Sequence, residues 1–337
     1  MLKRLFLFSS TILFLLFLGC SGCTGDSTTT PPKTTTPTPP KAEVKIPKFN
    51  RDSAYIFTQK QVDFGPRVPN TQAHTATKNW YVKKFKSYGA EVIEQNFQVK
   101  SFKNKMLNAT NIIAQFNPDH AKRVVLAAHW DTRYHADQDA DEKKKDDPIL
   151  GADDGASGVG MLLEIGRQIQ INGIDLGVDI VLFDAEDQGT NGGAETTWCL
   201  GSQHWSRNLH RPNYKPKYGI LLDMAGAKNA RFAKDEISMK YAANVMNKVW
   251  KIAKERGYGN YFVDERGGPL IDDHKFVNEI AKIPMIDIIN RPTGSRTGFG
   301  NYWHTHDDDM SVISKSTLRA VGQTVLAVLY KEAAGEF

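Results

Sequence analysis

Four short runs, RVVLAAH (123–129), DIVLFDA (179–185), YGILLDM (218–224) and IPMIDII (283–289), are almost continuously apolar and rich in β-branched residues. Strands buried on both faces have this composition, which limits the chain to folds with an enclosed sheet. Segments 71–88, 158–171, 237–256 and 314–331 lie around them with helical patterning, the last behind serines suited to N-capping. A hairpin-like pair at 90–100 and 108–116 completes the pattern. Strands alternating with helices imply an α/β fold, expected as a single-domain three-layer sandwich with a mixed, mostly parallel central sheet flanked by helices. The 337 residues, 40% hydrophobic, are enough for one large core, which the composition places at 49–337.

The preceding residues are of another kind. Lys3 and Arg4 introduce the apolar run LFLFSSTILFLLFLG, which ends at Cys20, the pattern of a secretory signal too short for a permanent span. FLGC resembles a bacterial lipoprotein cleavage box, so 1–20 is expected to be a signal peptide and Cys20 a lipid-carrying residue. The Thr/Pro-rich tract at 21–48 cannot bury enough apolar surface to order itself. The expectation is a monomeric, exported protein, a periplasmic or cell-surface lipoprotein of a bacterium that touches the membrane only through its anchor. Of the three cysteines, Cys20 and Cys23 belong to this export region, leaving Cys199 without a disulfide partner. The net charge of +5 is spread without a dense basic run, so no nucleic-acid partner is expected.

In open α/β sheets ligands bind outside the carboxyl ends of the strands. Three of the proposed strands finish in His129, in Asp184-Ala185-Glu186-Asp187 and in Asp223. His129 and Asp131 alternate, which places them on one face as a possible ligand and a carboxylate orienting it. GADDGASG (151–158) puts Asp153 and Asp154 in a tight turn opening a helix, either as caps or projecting toward the sheet edge. Glu186 and Asp187, adjacent after a buried strand, carry a like-charge cost that a cation would offset. PLIDDHKF adds Asp272, Asp273 and His274, and WHTHDDD adds Trp303 and His304, with Asp307 to Asp309 expected as a solvated surface run. Carboxylates and imidazoles without thiolate suit a catalytic zinc with an open position, and Cys-rich structural zinc sites are excluded.

Taken together, HWD, GADDGASG, FDAED, LLDMAG, DDHKF and WHT resemble the zinc-dependent aminopeptidase clan, and within it the glutaminyl-peptide cyclotransferases of animal type and their bacterial relatives. WHT, the double Asp before His274 and LLDMAGAKNARF favour the cyclase branch over the peptidases. The resemblance implies one zinc ion held by Asp154, Asp187 and His304, with Glu186 as general acid/base and Asp223 and Asp272 as its carboxylate network. Trp303 and Trp198 are implied as pocket walls, although the spacing of Trp198 from FDAED departs from the animal pattern. Asp187 stands where animal cyclases carry Glu, a departure that fits the bacterial branch.

The implied reaction converts N-terminal glutamine of peptides and proteins to pyroglutamate with release of ammonia. Two rival readings remain. A secreted zinc aminopeptidase would need a second metal at His129 and Asp223, and a non-catalytic surface lipoprotein would keep the fold without the chemistry.

Overall fold

The apolar runs form the middle of a six-stranded sheet. Its strands are β1 (Glu91–Lys100), β2 (Met106–Phe116), β3 (Arg123–His129), β4 (Gly177–Phe183), β5 (Gly219–Asp223) and, after two short strands β6 (Phe232–Lys234) and β7 (Phe262–Arg266), β8 (Met285–Ile289). The order is β1-β2-β4-β3-β5-β8, while β6 and β7 pair separately. β1–β2 and β2–β4 are antiparallel, whereas β4–β3, β3–β5 and β5–β8 are parallel. The expected mixed, mostly parallel sheet is therefore present.

The computed structural model describes residues 43–337, of which Val44–Phe337 form one unit. The proposed signal peptide, Cys20 and all of the Thr/Pro tract before residue 43 lie outside the described residues. Ile46 and Phe49 already pack against the core. No helix among the described residues is long and apolar enough to cross a membrane.

Alternation along the strands divides the core into two layers. On one face Val124, Leu126, Ala128, Ile180, Leu182, Ile220, Leu222 and Ile288 meet Val159, Leu162, Val325 and Leu329. These come from α3 (Ala156–Asn172) and α7 (Lys315–Ala333), which lie with α1 (Arg51–Val62), α2 (Gln72–Ser87) and α5 (Glu236–Glu255) on that side. On the other face Val125, Ala127, Val181, Phe183 and Leu221 meet Trp205 of α4 (Leu200–Arg207) and Val277, which follows α6 (Asp273–Phe276). Both faces covered is why the runs lack polar alternation.

The helices foreseen at 71–88, 237–256 and 314–331 coincide with α2, α5 and α7 within two residues at each end, with Thr71 and Ser314 as side-chain N-caps. α3 begins two residues earlier than its apolar pattern. α1 was not foreseen, because its buried face includes Thr58 and Gln61. Their side chains are satisfied internally, Thr58 donating to Ala54 O (3.0 Å) and Gln61 to Ala156 O (3.0 Å).

β3 runs through α3 to β4 on one side, and the next parallel strand, β5, pairs on its other side. A crevice opens outside the carboxyl ends at such a switch point. α3 reaches it because Gly158 packs on the backbone of Leu222, with no room for a Cβ.

Candidate active site

Each proposed site residue sits on a turn that the sheet delivers to one place. His129 ends β3, Asp223 ends β5, and Glu186 and Asp187 follow β4 after Ala185, whose φ is 55°. Asp154 lies in the turn before α3. Two buried groups hold that turn: the Arg67 guanidinium donates to Trp130 O (3.2 Å), Gly151 O (2.8 Å) and Leu150 O, and the Asp308 carboxylate accepts from Asp153 N (2.8 Å) and Asp154 N (3.1 Å). Asp153 is a brace, accepting from Tyr302 Oη (2.6 Å) and Gly226 N (2.8 Å).

Asp308 corrects the expectation of a wholly solvated acidic run. Asp307 is exposed, but Asp308 is fully buried and ties the His304 turn to the Asp154 turn. Burial, together with Asp153 and Asp154, holds its carboxyl well above the usual range.

Asp131 also differs from expectation. Its Oδ1 lies 3.7 Å from His129 Nδ1, beyond hydrogen-bond reach. Asp131 instead accepts from Glu186 N (2.9 Å), Asp187 N (3.2 Å) and the Gln188 amide (3.0 Å). It fixes the acidic loop by hydrogen bonds and acts on the imidazole through its charge.

Asp154, Asp187 and His304 converge. His304 Nε2 lies 3.1 Å from Asp187 Oδ1 and 3.8 Å from Asp154 Oδ2, and one ligand atom from each residue falls within 4.8 Å of the others. Two ligands about 2.0–2.2 Å from one ion span such separations. All three residues are buried, and among the described residues neither Asp187 oxygen has a hydrogen-bond partner. Buried carboxylate oxygens left so are costly unless a cation satisfies them, so the donor set fits a three-ligand zinc centre.

Beside it, His129 Nε2 lies 3.0 Å from both Asp154 Oδ1 and Asp223 Oδ1 and is hydrogen-bonded to Asp223. Burial and the neighbouring Asp272 push Asp223 up to about 8, against the opposing pull of His129. The His129 ring is held well above its ordinary range because Asp131, Asp154 and Asp223 outweigh its burial. These residues also form a geometric metal group, which shares Asp154 with the first.

A cavity of about 430 Å³ opens over both groups, and Asp154, Glu186, Asp187, Asp223, Asp272 and His304 contribute to its lining. Its walls include Trp198 and Trp303. The Trp303 ring stacks on His304 with centroids 3.6 Å apart; Trp198 lies 6.1 Å from the same ring, flat against Gly189, where a Cβ has no room. Burial, reinforced by Asp187, Asp273 and Asp272 against the pull of His129, holds the Glu186 carboxyl well above the usual range. Behind it Asp272, Asp273 and Asp287 are buried and similarly raised, chiefly by desolvation. Among the described residues both oxygens of Asp273 and of Asp287 lack hydrogen-bond partners, as does Asp272 Oδ2. Carboxyls so arranged titrate as a coupled group.

Several supporting residues escaped the sequence reading. Arg133 donates to Asp187 O (3.1 Å) and Gly189 O (3.0 Å), lies over the Trp198 ring at 4.6 Å and pairs with Asp137 at 2.9 Å. Asp137 Oδ1 is in turn 3.0 Å from His304 Nδ1. The only signal was AAHWDTR itself, in which Arg133 follows His129 and Asp131 at the same two-residue step.

The comparisons with known proteins agree with this architecture. The model of peptidase family M28 matches residues 111–329. Glutaminyl-peptide cyclotransferase of Drosophila melanogaster is 24% identical over 276 residues, covering 75% of this chain and 73% of its own. Among solved structures, the glutaminyl cyclase of Bacteroides thetaiotaomicron bound to N-acetylhistamine shows 50% identity, with 85% of this chain and 99% of that chain covered, and a TM-score of 0.83. A Zn-dependent exopeptidase from Parabacteroides distasonis gives 49%, 85%, 99% and 0.84 for the same measures. With well over half of its length matched by the family model, over the very elements that carry the site, the chain belongs to peptidase family M28.

Proposed function

We propose that this protein is a glutaminyl-peptide cyclotransferase, cyclising the N-terminal glutamine of peptides and proteins to pyroglutamate with release of ammonia. The observation that carries the reading is Glu186, a carboxyl raised by burial, opening onto a tryptophan-walled cavity beside a three-ligand centre. The similarity to curated cyclotransferases and to solved bacterial cyclases supports it.

One zinc ion is held by Asp154, Asp187 and His304 in this reading, and polarisation of the substrate γ-carbonyl is the chemistry it supplies when bound. The α-amine forms the new C–N bond at the γ-carbon, and the bond to the amide nitrogen breaks. Glu186 takes the proton from the amine and gives it to the departing ammonia; a carboxyl raised toward neutrality suits both transfers. Burial sets that level, with Asp187, Asp273 and Asp272 adding to it, and Asp223 joins Asp272 in the coupled carboxylate network behind Glu186. Trp198 and Trp303 limit water beside the glutamine side chain. The attacking amine must be neutral, so activity rises through its ordinary pKa of about 7.7–8.0.

An aminopeptidase reading needs a metal-bound hydroxide, furnished by a second ion at His129 and Asp223. Those residues lie 3.0 Å apart and form, with Asp154, a second geometric metal group, so the number of bound ions distinguishes the two readings. Export on a lipid-bearing Cys20, with other exported Gln-initiated chains as substrates, belongs to the same proposal. Incubation with a Gln-initiated and a Leu-initiated peptide, followed by mass spectrometry, tests it. Loss of ammonia from the first with the second intact is the expected result; removal of Leu overturns the cyclase reading.

A further inference from the structure

Cys199 is not one of the three proposed ligands and has no disulfide among the described residues, yet it lies against Glu186. Its thiol donates to Glu186 Oε1 at 3.1 Å. Among the described residues this is the one hydrogen bond made to that carboxyl. The backbones are joined as well, with Cys199 N donating to Glu186 O at 2.9 Å and Leu200 N to Ala185 O at 3.1 Å. Both partners of this clasp turn through left-handed backbone, Ala185 at φ 55° and Cys199 at φ 54°. Next to it, Gly201 packs against the Asp184 backbone with no room for a side chain. The first turn of α4 is thus fixed to the loop that carries Glu186.

We propose that Cys199 is a positioning residue, whose thiol selects the orientation in which the Glu186 carboxyl faces the cavity. The backbone clasp fixes where the Glu186 Cα sits, but a glutamate retains three side-chain torsions beyond it. The thiol is the one side-chain donor to this carboxyl among the described residues, so it is what singles out one orientation of Oε1. A small buried residue serving only to fill space offers no such selection. Cysteine supplies a donor that is also apolar enough for full burial.

The inference rests on Glu186 being the acid/base of the cyclase reading. Its test uses the purified protein carrying Cys199→Ala, Cys199→Ser and Glu186→Gln, each assayed for cyclisation of a Gln-initiated peptide with kcat and KM separated. Loss of one hydrogen bond of ordinary strength predicts a kcat roughly three- to tenfold lower in Cys199→Ala. KM should be unchanged, and Cys199→Ser, which keeps a donor, should recover most of the rate. Melting temperatures taken alongside separate positioning from folding. Full kcat in Cys199→Ala, or a loss that Cys199→Ser does not recover, overturns the proposal. An active Glu186→Gln overturns the acid/base reading itself, whereas an inactive Glu186→Gln with a fully active Cys199→Ala removes only the role of the thiol.

Discussion

Oδ1 of Asp137 lies 3.0 Å from Nδ1 of His304, on the far side of the ring from the nitrogen that faces Asp187. A carboxylate at this ion-pair distance raises the basicity of the ring and makes Nε2 a better donor to a metal. Asp137→Ala should therefore weaken zinc binding by roughly 10- to 100-fold. Competition against a chromogenic chelator measures this directly, and unchanged affinity would assign Asp137 only to Arg133.

Glu186→Gln keeps the size of the side chain and removes its capacity to carry a proton between amine and leaving group. The expected loss in kcat is roughly 10²- to 10⁴-fold. Metal content should be unchanged, because Glu186 is not among the three proposed ligands. A variant that retains its rate would shift the acid/base role to another group.

Elemental analysis of the purified protein should give one zinc per chain, and removal with a chelator should abolish cyclisation. His129→Ala should leave that stoichiometry unchanged. Two zincs per chain, falling to one in His129→Ala, would favour the hydrolase reading.

Asp308→Ala leaves the amides of Asp153 and Asp154 without their acceptor inside the core. Each buried unsatisfied group costs about 1–3 kcal/mol, so a loss of a few kcal/mol in unfolding free energy is expected. Denaturant titration reads it, and zinc affinity should fall in parallel because Asp154 loses its support.

His210 gives a pH dependence separate from the active site. Burial lowers its pKa to about 4, against the opposing pull of Asp179, while Trp205 Nε1 donates to its Nδ1 at 3.1 Å. Between that value and the unfolded value of about 6.5, the unfolded chain binds the extra proton. Stability should therefore be complete above about pH 6.5 and decline as pH falls toward 4, by about 3 kcal/mol from this group. His210→Gln should flatten that slope in denaturant titrations performed between pH 4 and 7.

The strands and the residues at their ends were legible because burial on both faces leaves a nearly continuous apolar run, and a carboxylate closing such a run stands out. Trp303 and His304 stood out for a similar reason, an indole beside an imidazole in a polar stretch. Asp308 did not, since one buried carboxylate among three looks like its neighbours until the Asp153 and Asp154 amides are seen to meet it. Asp137 was hidden within ADQDADEKKKDD, whose charge pattern is that of a surface loop. Cys199 was judged by its lack of a disulfide partner, and only the fold brings it to Glu186. α1 was missed because Thr58 and Gln61 occupy its buried face, where a periodicity of apolar residues cannot register them.

Four non-glycine residues lining or adjoining the cavity, Ala185, Cys199, Met224 and His304, have positive φ, between 42° and 57°. Backbone of this kind costs on the order of 1 kcal/mol or more at each position and persists only where the surroundings impose it. The proposed ligands are thus assembled by the rest of the fold, unlike those of a zinc finger, which takes shape around its ion. Metal uptake becomes the filling of a rigid mould: the stripped protein should keep its far-ultraviolet dichroism and amide-exchange protection, and reloading should restore activity without a refolding lag.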